Sequence, residues 1–172
     1  MASTLQGVMS NAAVFAPAAE RETSFEYAEV YRENCDRIYS LAFYLTDNEL
    51  AAEDLAANTF LRAFAGNGRP HVEQIDQAFL AEVRELTPVG VLTLNRAATS
   101  ETRNIRSNIK RVHLERAVVQ LPATEKLVFL FHDVDGYQHA RIGQLLGISE
   151  EESTLALHQA RIQVRDLVAQ MM

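Results

Sequence analysis

The chain has 172 residues, 48% of them apolar and 23% charged, and a formal net charge of −7. That balance is ordinary for a globular protein of one domain or two small ones. It argues against indiscriminate coating of nucleic acid, which needs clustered lysine and arginine, and no apolar run approaches the ~20 residues that cross a bilayer.

The first residues, "MASTLQGVMSNAAVFAPAAERE", lack a basic segment followed by an apolar core. They are expected to be a mobile tail, residues 1–22, rather than a signal peptide. From Ser24 the pattern turns helical: Tyr27, Tyr31, Cys35, Ile38, Ala42 and Leu45 recur at three- and four-residue steps and predict one inward face. Cys35 is the single cysteine, so no internal disulfide is available and a reducing cytoplasm is the expected location. Asp47 or Asn48 can cap a second helix, "ELAAEDLAANTFLRAF", with Leu50, Leu55, Thr59, Phe60 and Phe64 inward. After the loop "AGNGRP", a third helix is expected over Glu73 to Leu86, burying Ile75, Phe79, Val83 and Leu86.

Thr87 to about Ser107 holds Pro88, Gly90 and β-branched residues without helical period. A structureless connector of that length fits a boundary between domains. It is also where charge changes sign. Ten acidic residues face three basic ones between Glu20 and Ala57, whereas Arg96 to Arg116 carries six basic residues against Glu101 and Glu115. An acidic front repels phosphate and suits a basic protein partner, while the middle can approach a phosphate backbone.

The second half opens near Val112. Pro122 stands where a helix would begin, Gly136 ends it, and "YQHARIGQLLG" is a short helix stopped by Gly147. Ser149 and Glu152 form a capping box for the last helix, with Ser153, Leu157, Ala160, Val164, Leu167 and Met171 as its inward stripe. The expected fold is all-α: two small helical domains, residues 23–86 and 112–172, joined by a flexible linker over residues 87–111. A short helix, a glycine turn and a capped helix on supporting helices is the helix-turn-helix arrangement.

Catalytic chemistry finds no footing. Five histidines show no metal-ligand spacing and no second cysteine can complete a site. There is neither a glycine-rich phosphate loop nor a nucleophile elbow. No enzyme activity, metal, cofactor or small-molecule substrate is therefore expected.

Two stretches carry a family resemblance. "VYRENCDRIYSLAFYLTDNELAAEDLAANTFLRAF", Val30 to Phe64, resembles conserved region two of the extracytoplasmic-function RNA polymerase sigma factors, and Leu114 to Val168 resembles their region four. The resemblance implies that the helix carrying Asp54, Leu55, Asn58, Phe60 and Arg62 holds the clamp of core polymerase. The segment after it would melt the minus-ten promoter element. The helix from Ser149 would enter the major groove of the minus-thirty-five element, with Thr154, Leu155, His158, Gln159, Arg161 and Arg165 as DNA-contacting candidates. Core polymerase and promoter DNA are the implied partners, an anti-sigma protein is a further candidate, and membrane is not among them.

The chain departs from the pattern at several of these positions. Ala57 and Asn58 replace the usual Gln-Glu, and the strand-melting segment "VEQIDQAFLAEVREL" offers Phe79 and Arg84, with no tryptophan anywhere in the chain. Thr154, Leu155 and Ala156 stand for Lys, Ser and Arg, Gln159 for Arg, and Ile162 for Lys. Thr154, His158 and Gln159 remain able to read base edges, each good contact giving about 1–3 kcal/mol of discrimination. Two readings follow: a sigma factor, or a degenerate sigma-like regulator that binds polymerase or another regulator through the Leu155/Ile162 face without reading DNA.

Overall fold

A computed structural model describes residues 18–94 and 109–172, and among them every regular element is helical. Three helices form a first lobe: α1 (Ala18–Thr46), α2 (Glu49–Phe64) and α3 (Val72–Leu86). Helix α1 starts inside the stretch expected as a tail. It stops where Thr46 Oγ1 turns back to the Ala42 carbonyl and Asp47 takes a positive φ of 50°. Asn48 then caps α2 by accepting from the Ala51 N–H at 2.9 Å.

The buried face of α1 is rotated from the expected one. Val30, Asn34, Ile38, Leu41 and Ala42 are buried, whereas Tyr31 is 51% exposed. The two stripes share Ile38 and Ala42 and differ in phase, because α2 and the second lobe cover the side of α1 that carries Val30, Asn34 and Leu41. Tyr27 and Tyr31 lie along the edge instead, their rings 5.0 and 4.9 Å from those of Phe64 and Phe60. On α2 and α3 the expected Leu55, Thr59, Phe60, Ile75, Phe79 and Val83 are buried, but Leu50 and Leu86 face outward, 72% and 65% exposed. Both sit at helix ends, beyond the reach of the packing partners.

The second lobe contains α4 (Arg111–Val119), α5 (Ala123–Phe129), α6 (His139–Leu146) and α7 (Glu150–Met171). Helix α5 runs into a π-turn, Leu130–Val134, closed by the Asp135 N–H on the Leu130 carbonyl at 3.0 Å. The wider turn brings Asp133 against α7. Gly147 ends α6 in the left-handed conformation, φ 74°, and the N–H groups of Gly147 and Ile148 both reach the Gly143 carbonyl. The turn folds back so tightly that a Cβ on Gly143 would lie 2.7 Å from the Ile148 carbonyl oxygen. The Ser149/Glu152 capping box forms as expected, with bonds of 3.0 and 2.8 Å.

The lobes touch. Helix α1 meets α4 and α5, α3 meets α6, and the buried apolar cluster continues from one lobe into the other. The first part of the connector does not swing free: Gly90 N–H donates to Thr124 Oγ1, and the Thr93 and Leu94 N–H groups donate to Oε1 of the fully buried Glu125. Gly90, φ 102°, passes so close to α6 that a Cβ would meet the Leu146 carbonyl oxygen at 2.8 Å. Arg103 and Arg106 of the basic linker fall outside the described residues.

Candidate functional site

Two faces gather the candidate residues. On α2 the outward side carries Leu50, Glu53, Asp54, Ala57, Asn58 and Leu61, an acidic stripe with a leucine at either end. Leu61 is 70% exposed, and with Phe60, Phe64, Tyr31 and Cys35 it lines a groove of about 550 Å³ between α1 and α2. Asp36 and Glu53 line the same groove. Apolar anchors framed by carboxylates suit a basic helical partner.

The five expected clamp contacts divide. Asp54 and Asn58 are exposed and available. Leu55 and Phe60 are buried at 4% exposure each, packed into the core because the α1–α2 interface needs their bulk; Phe60 forms part of the groove's floor, and Leu55 does not reach it. Arg62 is on the surface, but its guanidinium pairs with Glu82 and Glu85 of α3, which stitches α2 to α3. Leu50 and Leu61, outside the expected set, are exposed on the same side. The available signal was spacing: Leu50, Asp54 and Leu61 fall on one helical side at steps of four and seven.

The second face belongs to α7. Its outward side runs from Glu150, Glu151 and Glu152 through Thr154, Leu155 and His158 to Arg161 and Arg165. Gln159 does not belong to it: only 7% exposed, it faces the lobe interior, and its Oε1 has no hydrogen-bond partner. It lies one step off the outward arc, toward Ala156 and Ala160. Ala156 is buried as well, and Ile162 is half-buried, so the expected Leu155/Ile162 pair reduces to Leu155, 49% exposed.

Electrostatics weaken this face for phosphate. Arg161 is held by Asp133 of the π-turn through two bonds, Nε to Oδ2 at 3.0 Å and Nη2 to Oδ1 at 2.6 Å. The Arg161 guanidinium holds the Asp133 carboxyl below the usual carboxylate range, so the pair stays ionised. Asp133 also meets His132 Nδ1 at 2.9 Å, and the His132 ring stacks on His139, whose Nδ1 lies 3.0 Å from Ser153 Oγ. Burial lowers the His139 pKa, and the neighbouring His132 adds to that. Thr154 turns its hydroxyl back to the Glu150 carbonyl at 2.9 Å.

Helix α3, expected to hold the strand-melting residues, presents neither of them freely. Phe79 is fully buried, and Arg84 donates to the Leu145 carbonyl of α6 at 2.8 Å. No group of three or more His, Cys, Asp or Glu side chains suited to a metal occurs among the described residues, and no helix there is long and apolar enough to cross a membrane.

Residues 104–164 match the family described as sigma-70, region 4. The ECF RNA polymerase sigma factor SigE of Mycolicibacterium smegmatis is 26% identical over 172 residues, spanning 91% of this chain and 67% of that protein. The solved structure of the sigma factor RpoE in complex with the anti-sigma factor NepR from Bartonella quintana shares the fold. Its TM-score is 0.62 at 12% identity, over 83% of this chain and 96% of that one.

Proposed function

We infer that this chain is an RNA polymerase sigma factor of the extracytoplasmic-function type, one that binds core polymerase and directs promoter recognition and transcription initiation. The observation that carries the reading is the pairing, in one chain, of an acidic leucine-bearing helix with a capped helix-turn-helix. The likeness to SigE spans both. Residues 23–86 serve as the region-two part, 87–111 as the linker and 112–172 as the region-four part. The protein works in the cytoplasm, where polymerase and promoter are. No catalytic step of its own, cofactor or small-molecule substrate belongs to this reading.

Each residue then takes a role consistent with its exposure. Asp54, Asn58 and Leu61 meet the clamp of core polymerase, the carboxylate steering a basic coiled coil and the leucine entering its surface. Thr154, Leu155, His158, Arg161 and Arg165 line the groove-facing side of α7. Because a relative of the same fold is held by an anti-sigma protein, the same class of partner is proposed for this chain.

A second reading rests on one specific observation. The α7 face opens with three glutamates, exposes Leu155 and keeps Arg161 neutralised by Asp133, which leaves Arg165 as its principal cation for phosphate. A sigma-like regulator that holds polymerase without reading a promoter would have such a face. Run-off transcription with purified core polymerase separates the two. Promoter-dependent transcripts are the expected result. Core binding without transcripts from any fragment of the host genome supports the regulator, and absence of core binding removes both.

A further inference from the structure

One polar cluster at the contact between the lobes is built around a buried carboxylate. Asp76 of α3 is 0% exposed. Its Oδ1 accepts from Arg37 Nη2 of α1 at 2.8 Å, and its Oδ2 accepts from the Tyr137 hydroxyl at 2.7 Å and from Arg141 Nη2 at 2.8 Å. Arg37 reaches across as well, Nη1 lying 3.2 Å from Asp135 Oδ2 and 3.3 Å from the Tyr137 oxygen. The Arg141 guanidinium sits over the Tyr137 ring, 3.7 Å from its centroid, and that ring stacks on Phe131. Two residues of this cluster belong to the first lobe and three to the second. Near it, Arg84 of α3 donates to Leu145 at the turn of the helix-turn-helix.

The closed arrangement cannot span a promoter. Elements centred at minus ten and minus thirty-five are roughly 25 base pairs apart, which at about 3.4 Å per pair is roughly 85 Å of duplex. The whole of α7, with 22 residues, is only ~33 Å long, and its lobe is in hydrogen-bond contact with α3. Residues 87–89 provide a hinge about which the breadths of the two lobes add, while Gly90, Thr93 and Leu94 stay held to Thr124 and Glu125 of the second lobe. Opening keeps a partner for each buried charge: Lys126 gives up the Tyr44 carbonyl of α1 but retains that of Val119, and Glu125 keeps the Thr93 and Leu94 N–H groups. Arg37 and Asp76 share a lobe and keep each other, while Asp135, Tyr137 and Arg141 pass into water.

We propose that Asp76, with Tyr137 and Arg141, forms an autoinhibitory latch that holds the two lobes closed in the free protein and must release before α3 and α7 engage separate promoter elements. The inhibitory role rests on the sigma-factor reading; the latch itself does not. Release also frees Arg141 and Arg84 from protein acceptors, so the open form gains cations on the surfaces that would face DNA.

The test uses the full chain in three forms: wild type, Asp76→Asn, and the double variant Tyr137→Phe/Arg141→Ala. The double variant changes only the second lobe's side of the cluster and leaves the Arg37–Asp76 pair inside the first lobe. Small-angle X-ray scattering should give the wild type a radius of gyration near that of a compact body, about 16 Å, and the variants a value above about 20 Å. Circular dichroism should show unchanged helix content in the double variant. With core polymerase, the opened variants should reach half-maximal run-off at a protein concentration roughly three- to tenfold lower, because apparent affinity scales with the competent fraction. An already open wild type, or a folded double variant that stays compact, overturns the latch. Opening without a gain in transcription overturns its inhibitory role. A core pull-down negative for every form, with scattering as expected, leaves the latch standing and sinks the sigma-factor reading together with the inhibitory role.

Discussion

Replacing Lys126 with methionine should destabilise the whole molecule, and the expected size follows from its surroundings. Lys126 is 5% exposed, and its ammonium donates to the Tyr44 carbonyl at 2.9 Å and the Val119 carbonyl at 2.7 Å. Those oxygens lie in the last turns of α1 and α4, where helix carbonyls lack intrahelical donors and the macrodipole favours a cation. One side chain therefore closes the ends of two helices in different lobes. Methionine keeps the length and apolar contacts of the lysine stem, so transfer and cavity terms nearly cancel. Two hydrogen bonds from a charged donor give about 3–6 kcal/mol gross. Against this stands desolvation of the ammonium, visible in a pKa that burial pushes down. A net loss of about 2–3 kcal/mol results, since two carbonyls are left without donors. In urea at pH 7, with a slope of about 2–3 kcal/mol per molar, the midpoint should fall by about 1 M. A Lys126→Met protein with a midpoint equal to or above wild type would refute the reasoning, because burial of the charge would then outweigh both caps.

Leu61→Asp should leave the melting temperature within about 2 °C, since the side chain is largely exposed, and weaken core polymerase binding by about 2 kcal/mol, close to thirtyfold; measured by surface plasmon resonance, unchanged affinity would remove Leu61 from the dock. Asp133→Asn should show a pH signature. Because the folded carboxyl is held below its ordinary value by Arg161, its stabilisation is complete above about pH 5 and fades as pH drops through 3.9 toward the folded pKa. Wild type should exceed the variant by up to about 1 kcal/mol at pH 6, a modest figure because the pair is partly solvated. Denaturation curves at pH 6 and pH 3 should converge at the lower value, and a constant gap would contradict the assignment.

Exposure sorts the candidate residues in a way that composition does not. Asp54 and Asn58 were named through the family resemblance, and their outward placement agrees with their position off the apolar stripe of α2. Gln159 and Ile162 were misjudged because α7 buries a wide arc: Ala156, Leu157, Gln159, Ala160 and Val164 all face α4, α5 or α6. A polar residue on the margin of such an arc can fall on either side, and only the neighbouring helices decide. Phe79 followed the core stripe as expected, and its burial takes it out of reach of any base.

The sequence by itself determined what depends on neighbours within a turn. Pro122 at the head of α5, the left-handed Gly147, the Ser149/Glu152 box and the Asn48 cap all act over four residues or fewer, so helix order and the bent two-helix motif could be read directly. Tertiary structure alone decided where the charges went. Asp76, Glu125 and Lys126 look like solvated surface residues in the linear chain, yet all three are buried and each has a partner at least 31 residues away, as far as 82 for Lys126 and Tyr44. A buried charge is tolerable only where distant donors or acceptors converge on it, and no local pattern encodes that convergence.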